Sequence, residues 1–104
     1  MSSAANKTSV RRQERTIHLA GRELYLTPTE HRLWEVLRSD TGRTFTRAEL
    51  LAAAMPDAVV LDRTIDVHIW SLRAKLGDAR ACIETVPQLG YRFVAAGALA
   101  EEPT

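Results

Sequence analysis

Two sets of side chains in this 104-residue chain could do chemistry: three histidines with one cysteine, and a spaced series of arginine, lysine and tryptophan between residues 63 and 92. His18, His31, His68 and Cys82 stand far apart, and no pair sits at metal-ligand spacing, so no metal site is expected. A Cys82 nucleophile would need a histidine base within hydrogen-bond reach, which the spacing does not show. A buried thiol before an alternating strand is the ordinary outcome. A glycine-rich phosphate loop is also lacking, and a chain this short has little volume for a pocket. Neither an enzyme nor a cofactor is expected.

The second set is more informative. Within DRTIDVHIWSLRAKLG, Ile65, Ile69, Leu72 and Leu76 repeat at core-facing helical spacing. On a helical wheel they fall within about 60° of one another. Opposite them lie Arg63, Val67, Trp70, Ser71 and Ala74, which should face solvent or a partner. Asp66 and Arg73 flank the core on one side, His68 and Lys75 on the other. An outward Trp70 leaves three readings open: a loop or strand folds over it, it meets DNA bases or sugars, or it meets another protein.

The elements that position these residues follow from punctuation in the sequence. Two alternating segments in RTIHLAGRELYL flank Ala20-Gly21, a tight turn, with Ile17, Leu19, Leu24 and Leu26 on one face. Thr27, Pro28 and Glu30 form a capping-box start for a first helix carrying Leu33, Trp34, Val36 and Leu37, which should stop near Asp40–Gly42. Thr46 and Glu49 repeat the signal for a short second helix, ended by Pro56-Asp57. The third helix is expected over about Asp62–Leu76, with Asp62 as cap and Gly77 as stop. Strand-like runs Cys82–Val86 and Tyr91–Ala95 then flank a Pro87–Gly90 loop. The fold class is α+β: a winged helix-turn-helix with a small N-terminal antiparallel sheet and a C-terminal β-hairpin wing. A disordered leader (1–9) and a flexible tail (96–104) are expected to border a domain spanning 10–95.

Charge narrows the classes only a little. Fourteen Lys+Arg against thirteen Asp+Glu give +1, far from a strongly basic nucleic-acid footprint. The excess lies at the start: Lys7, Arg11, Arg12, Arg15 and Arg22 against Glu14 and Glu23, either an arm that follows phosphates or a plain soluble leader. The longest apolar stretches, LLAAAMP and AVVL, fall short of the ~18 residues of a membrane span. No apolar run follows Met1, and one cysteine allows no internal disulfide. A reduced, cytoplasmic location with no membrane association is therefore expected.

LTPTEHRLWEVL, GRTFTRAELL, DRTIDVHIWSLRAKLG and IETVPQLGYRF together resemble the C-terminal effector domain of bacterial OmpR/PhoB-type response regulators, from about Ile17 to Val94. The compound signature of RTIDVHI, LRAKL, TV and GYRF in this order is what makes the likeness specific. The resemblance implies sequence-specific binding of double-stranded DNA and transcription regulation, as the output domain of a two-component response regulator or a free-standing relative. The third helix would enter the major groove, and the wing would lie near the minor groove. It further implies RNA polymerase contact through the loop Ala54–Leu61, and a homodimer on tandem half-sites. Arg63 matches the arginine that starts the recognition helix, and Thr64, Asp66, Val67 and His68 also match. Arg73 is implied as a phosphate contact supported by Lys75, Tyr91 as a packing residue, and Arg92 as meeting DNA backbone or a neighbouring domain.

The chain departs from the family twice. Trp70 and Ser71 occupy positions often basic, and Val86-Pro87-Gln88-Leu89-Gly90-Tyr91 stands where the wing usually reads V-R-G-x-G-Y. Each absent cation removes about one phosphate's worth of counterion release, so weaker and less salt-dependent binding is expected. With 104 residues there is no room for a receiver domain as well. An alternative is a winged-helix protein-interaction module with weak or no DNA binding, using Val67, Trp70 and the apolar stretch Ala58–Leu61.

Overall fold

Pairing begins before any helix. The computed structural model describes residues 15–95, so the expected leader and tail, with Arg11 and Arg12, lie outside the described residues. Strands β1 (Arg15–Leu19) and β2 (Arg22–Leu26) run antiparallel with Ile17 opposite Leu24. Ala20 and Gly21 join them, both at positive φ (50° and 76°), the combination whose twist suits a two-residue hairpin. One face of this ladder delivers Ile17, Leu19 and Leu26 to the core, with Leu24 packed at its margin.

Helices α1 (Pro28–Arg38) and α2 (Arg47–Ala54) start at the expected capping boxes. The Thr27 hydroxyl accepts from the Glu30 N–H at 3.1 Å, and the Glu30 carboxylate accepts from the Thr27 N–H at 2.9 Å. Thr46 and Glu49 repeat the exchange at 3.1 and 2.8 Å. Helix α3 (Thr64–Leu76) starts differently. Asp62 is not its cap; Arg63 takes that place with helical backbone angles and no side-chain bond. The N–H groups of Thr64, Ile65 and Asp66 instead donate to the carbonyls of Leu61, Asp62 and Arg63. This tight 3-10 lead-in satisfies donors that a capping side chain would otherwise serve.

Gly77, at φ 60°, ends α3 as expected, but the chain continues into a 3-10 helix, Gly77–Cys82. Cys82 therefore closes a helix rather than opening a strand. Strand β4 covers Ile83–Val86 and β5 covers Gly90–Phe93, not Ala95. A further strand, β3 (Thr44–Thr46), joins their sheet; three residues are too few to show alternation in the sequence. The sheet order is β3-β5-β4, all antiparallel.

Gly90 belongs to this sheet rather than to the Pro87–Gly90 loop. It sits opposite both Val86 and Thr46, and a Cβ there would run into the Phe45 carbonyl. The loop shortens to a turn in which the Leu89 N–H donates to the Val86 carbonyl at 3.0 Å. Pro87 then Gln88 at φ 68° is the pattern of a type II turn, with glutamine where glycine is the easy choice.

The core lies where α1, α2 and α3 meet the central face of the sheet. Leu33, Trp34 and Leu37 of α1, Leu50 of α2, and Ile65, Ile69, Leu72 and Leu76 of α3 are all buried, as the α3 stripe required. Trp34 meets Phe93 of β5 edge to face at 5.7 Å between centroids. Each such aliphatic side chain contributes about 1.5–3 kcal/mol by leaving water. No helix among the described residues is long and apolar enough to cross a membrane.

Candidate functional site

Burying one stripe of α3 commits the opposite stripe to the surface. Trp70 is 73% exposed and Val67 66%. Arg63 and Ala74 are exposed beside them, and Thr64 is half-buried in the first turn. Among the described residues no loop or strand folds over Trp70, which counts against that one of the three readings. Among the described residues the Arg63 guanidinium has no hydrogen-bond or ion-pair partner. The face is therefore apolar in its middle, with an open cation at its N-terminal end.

Ser71 does not join this face, although the wheel put it there. The first turn of α1 crosses that flank and brings in Glu30, only 2% exposed. A buried carboxylate is costly unless it is hydrogen-bonded. Glu30 takes bonds from the Ser71 hydroxyl at 2.6 Å, the Lys75 ammonium at 2.6 Å and the Thr27 N–H. Burial pushes its pKa up, but the Lys75, Ser71 and Thr27 bonds outweigh this and hold it below the ordinary value. Ser71 and Lys75 are thus turned toward α1.

The other flank is closed by a second polar cluster. The Arg73 guanidinium donates to the Ile83 carbonyl at 2.8 Å and to the Thr85 hydroxyl at 2.9 Å, joining α3 to β4. Asp66 accepts from Arg47 Nε at 2.7 Å and from the Tyr91 hydroxyl at 2.5 Å, joining α3 to α2 and β5. The guanidinium groups of Arg47 and Arg73 each lie 5.3 Å from the Tyr91 ring centroid, within cation–π range. Burial raises the Asp66 pKa, yet the bonds from Tyr91 and Arg47 bring it below the ordinary carboxylate value. Burial and the bond to Asp66 raise that of Tyr91. The hydrogen bond to Asp66 also raises Arg47.

On the wing, Arg92 pairs with Glu84, directly opposite on the ladder, at 2.7 Å. Leu89 at the tip is exposed, and its carbonyl accepts from the Arg47 N–H at 3.4 Å. Between α2 and α3, the side chains of Val59, Val60 and Leu61 also face outward. The structure therefore gathers Arg63, Val67 and Trp70 on one face and sets Arg92 apart on the sheet. It bonds Ser71 and Lys75 to Glu30 of α1, and Arg73 to β4. Sequence reasoning passed over Glu30 and Arg47 as organising residues. Glu30 reads locally as a cap, and no spacing announces partners 41 and 45 positions away.

Comparison with known proteins bears on this geometry. The family described as "Transcriptional regulatory protein, C terminal" matches residues 21–93. The chain is 40% identical over 83 residues to the phosphate regulon transcriptional regulatory protein PhoB of Rhizobium meliloti, covering 77% of this chain and 37% of that protein. It is 44% identical over 79 residues to the transcriptional regulatory protein BaeR of Escherichia coli, covering 72% and 33%. It thus spans about a third of the length of these curated relatives. The DNA-binding domain of response regulator AdeR, solved in complex with an intercistronic region, superposes with a TM-score of 0.70 at 27% identity, covering 86% of this chain and 90% of that one. The Klebsiella pneumoniae RstA DNA-binding domain, solved with the RstA box, does so at 0.66 and 29%, covering 77% and 83%.

Proposed function

The chain belongs to the family of C-terminal domains of OmpR/PhoB-type transcriptional regulatory proteins, and on that premise we propose that it regulates transcription by binding specific double-stranded DNA through α3. The observation that carries this reading is the outward face of Arg63, Val67 and Trp70 on a helix whose other flanks are fixed. In this reading α3 enters the major groove, with Arg63, Thr64, Val67 and Trp70 at the base edges. The turn Val86–Leu89 and Arg92 approach the minor groove or the backbone. Ser71, Arg73 and Lys75 hold α3 against α1 and β4, and the N–H donors that Arg73 and Lys75 leave unused meet phosphates at the rim of the groove.

The domain spans 10–95 and acts by binding, not by catalysis, in the bacterial cytoplasm. Its setting is the output end of a two-component response regulator or a free-standing relative. Two copies occupy tandem half-sites, and the loop Ala54–Leu61, with its exposed Val59, Val60 and Leu61, meets RNA polymerase. The DNA complexes of the similar domains favour this over a protein-interaction module. The test is selection of genomic fragments by the purified chain at physiological salt against random competitor DNA. Enrichment of a common motif supports the reading; recovery indistinguishable from random DNA defeats it.

A further inference from the structure

We infer that α3 distinguishes its site chiefly by apolar contact with thymine 5-methyl groups, made by Trp70 and Val67, with Arg63 as its one open charged reader. This rests on the reading of α3 as the major-groove helix. The cations that border the face are already engaged: Arg47 by Asp66, Arg73 by Ile83 and Thr85, Lys75 by Glu30, Arg92 by Glu84. What remains in the middle of the face is Val67, Trp70 and the methyl group of Ala74. Val67 and Trp70 are three residues apart, hence neighbours on the helix surface, and form one continuous apolar patch.

Among base-pair edges in the major groove, the thymine methyl is the one apolar feature; the others are hydrogen-bond donors and acceptors. An indole laid over the polar edge of a G·C pair would strip water from groups it cannot pair, which is unfavourable. Over a methyl group it buries apolar surface on both sides. The indole N–H adds one donor, which thymine O4 can accept. The site so read is rich in A·T pairs, and discrimination at Trp70 and Val67 carries no phosphate charge.

The experiment separates this from the reading beneath it. The preferred duplex is first selected by the full chain from a random-sequence pool. Each thymine in it is then replaced singly by uracil, which removes only the methyl group. Affinity is measured for the parent chain and for W70A, whose folding is checked by circular dichroism and melting. The expected result is about a fourfold loss for uracil at one or two positions, the equivalent of one buried methyl. W70A should be insensitive to the same replacement, and its salt slope should equal the parent's. Unchanged affinity with every thymine replaced, on a duplex still preferred over random DNA, would overturn the inference and leave the DNA-binding reading standing. Failure to select any duplex would remove that reading and this one with it. If W70A kept the full uracil response and instead lost self-association in sedimentation, the patch would be a protein surface and the inference would fall.

Discussion

The Tyr91 hydroxyl and the Asp66 carboxylate meet at 2.5 Å across the seam between the wing and α3. One partner stands in the first turn of α3 and the other in the central strand of the sheet, 25 positions apart in the chain. Arg47 closes the triangle from the first residue of α2, so one carboxylate sets the angles among three elements.

Tyr91→Phe removes the hydroxyl while keeping the ring beside Arg47 and Arg73. It should lower stability by about 1 kcal/mol, the net worth of one such bond. Asp66→Asn should cost more, because Arg47 then loses its countercharge. Urea denaturation of both single variants and of the double variant measures the coupling. Strictly additive losses would mean that the two groups do not act together.

Glu30 makes stability depend on pH with a definite sign. Its folded pKa lies below the ordinary 4.5. The stabilisation is therefore complete above about 4.5 and is lost as pH falls through the lowered value. Glu30→Gln should be less stable than the parent at neutral pH by about 1–2 kcal/mol. The difference should shrink to little in strong acid. Melting curves from neutral to acid pH show this as two lines that converge.

The wing turn is strained at one residue and crowded at another. Gln88→Gly relieves a positive φ and should stabilise the domain by about 0.5–1 kcal/mol, after the extra freedom of glycine in the unfolded chain is subtracted. Gly90→Ala should do the opposite, by forcing a methyl group into the Phe45 backbone and detaching β3. Thermal melts of the two variants should move in opposite directions.

Arg63 and Arg73 should separate in binding assays. Arg63→Ala should weaken specific binding by about 1–3 kcal/mol if it reads a base, and leave the melting temperature unchanged. Arg73→Ala should lower the melting temperature first, since it releases β4 from α3. A salt titration of each variant, beside its melt, distinguishes a DNA contact from a strut.

Local signals carried most of the fold. Both capping boxes depend on residues three apart, and the α3 stripe on a single helix, so composition within a short window suffices to find them. Asp62 failed as a cap because a 3-10 lead-in already satisfied the donors. Strand β3 and the inclusion of Gly90 depended on pairing with a segment more than 40 residues away. The site divided in the same manner. Trp70 and Val67 were legible as outward because periodicity alone decides it. The inward turn of Ser71 and Lys75 was not, because it answers a buried carboxylate on another helix.

Cys82 gives the domain a built-in probe of its own opening. It is the chain's single thiol, wholly buried where the 3-10 helix passes into β4, and its carbonyl accepts from the Val94 N–H at 2.8 Å. A thiol reagent must wait for that joint to part before it can react. The labelling rate in native buffer therefore clocks excursions that separate the sheet from the end of α3, without any engineered label. DNA that grips both parts at once should slow this clock, and a strut variant such as Arg73→Ala should speed it.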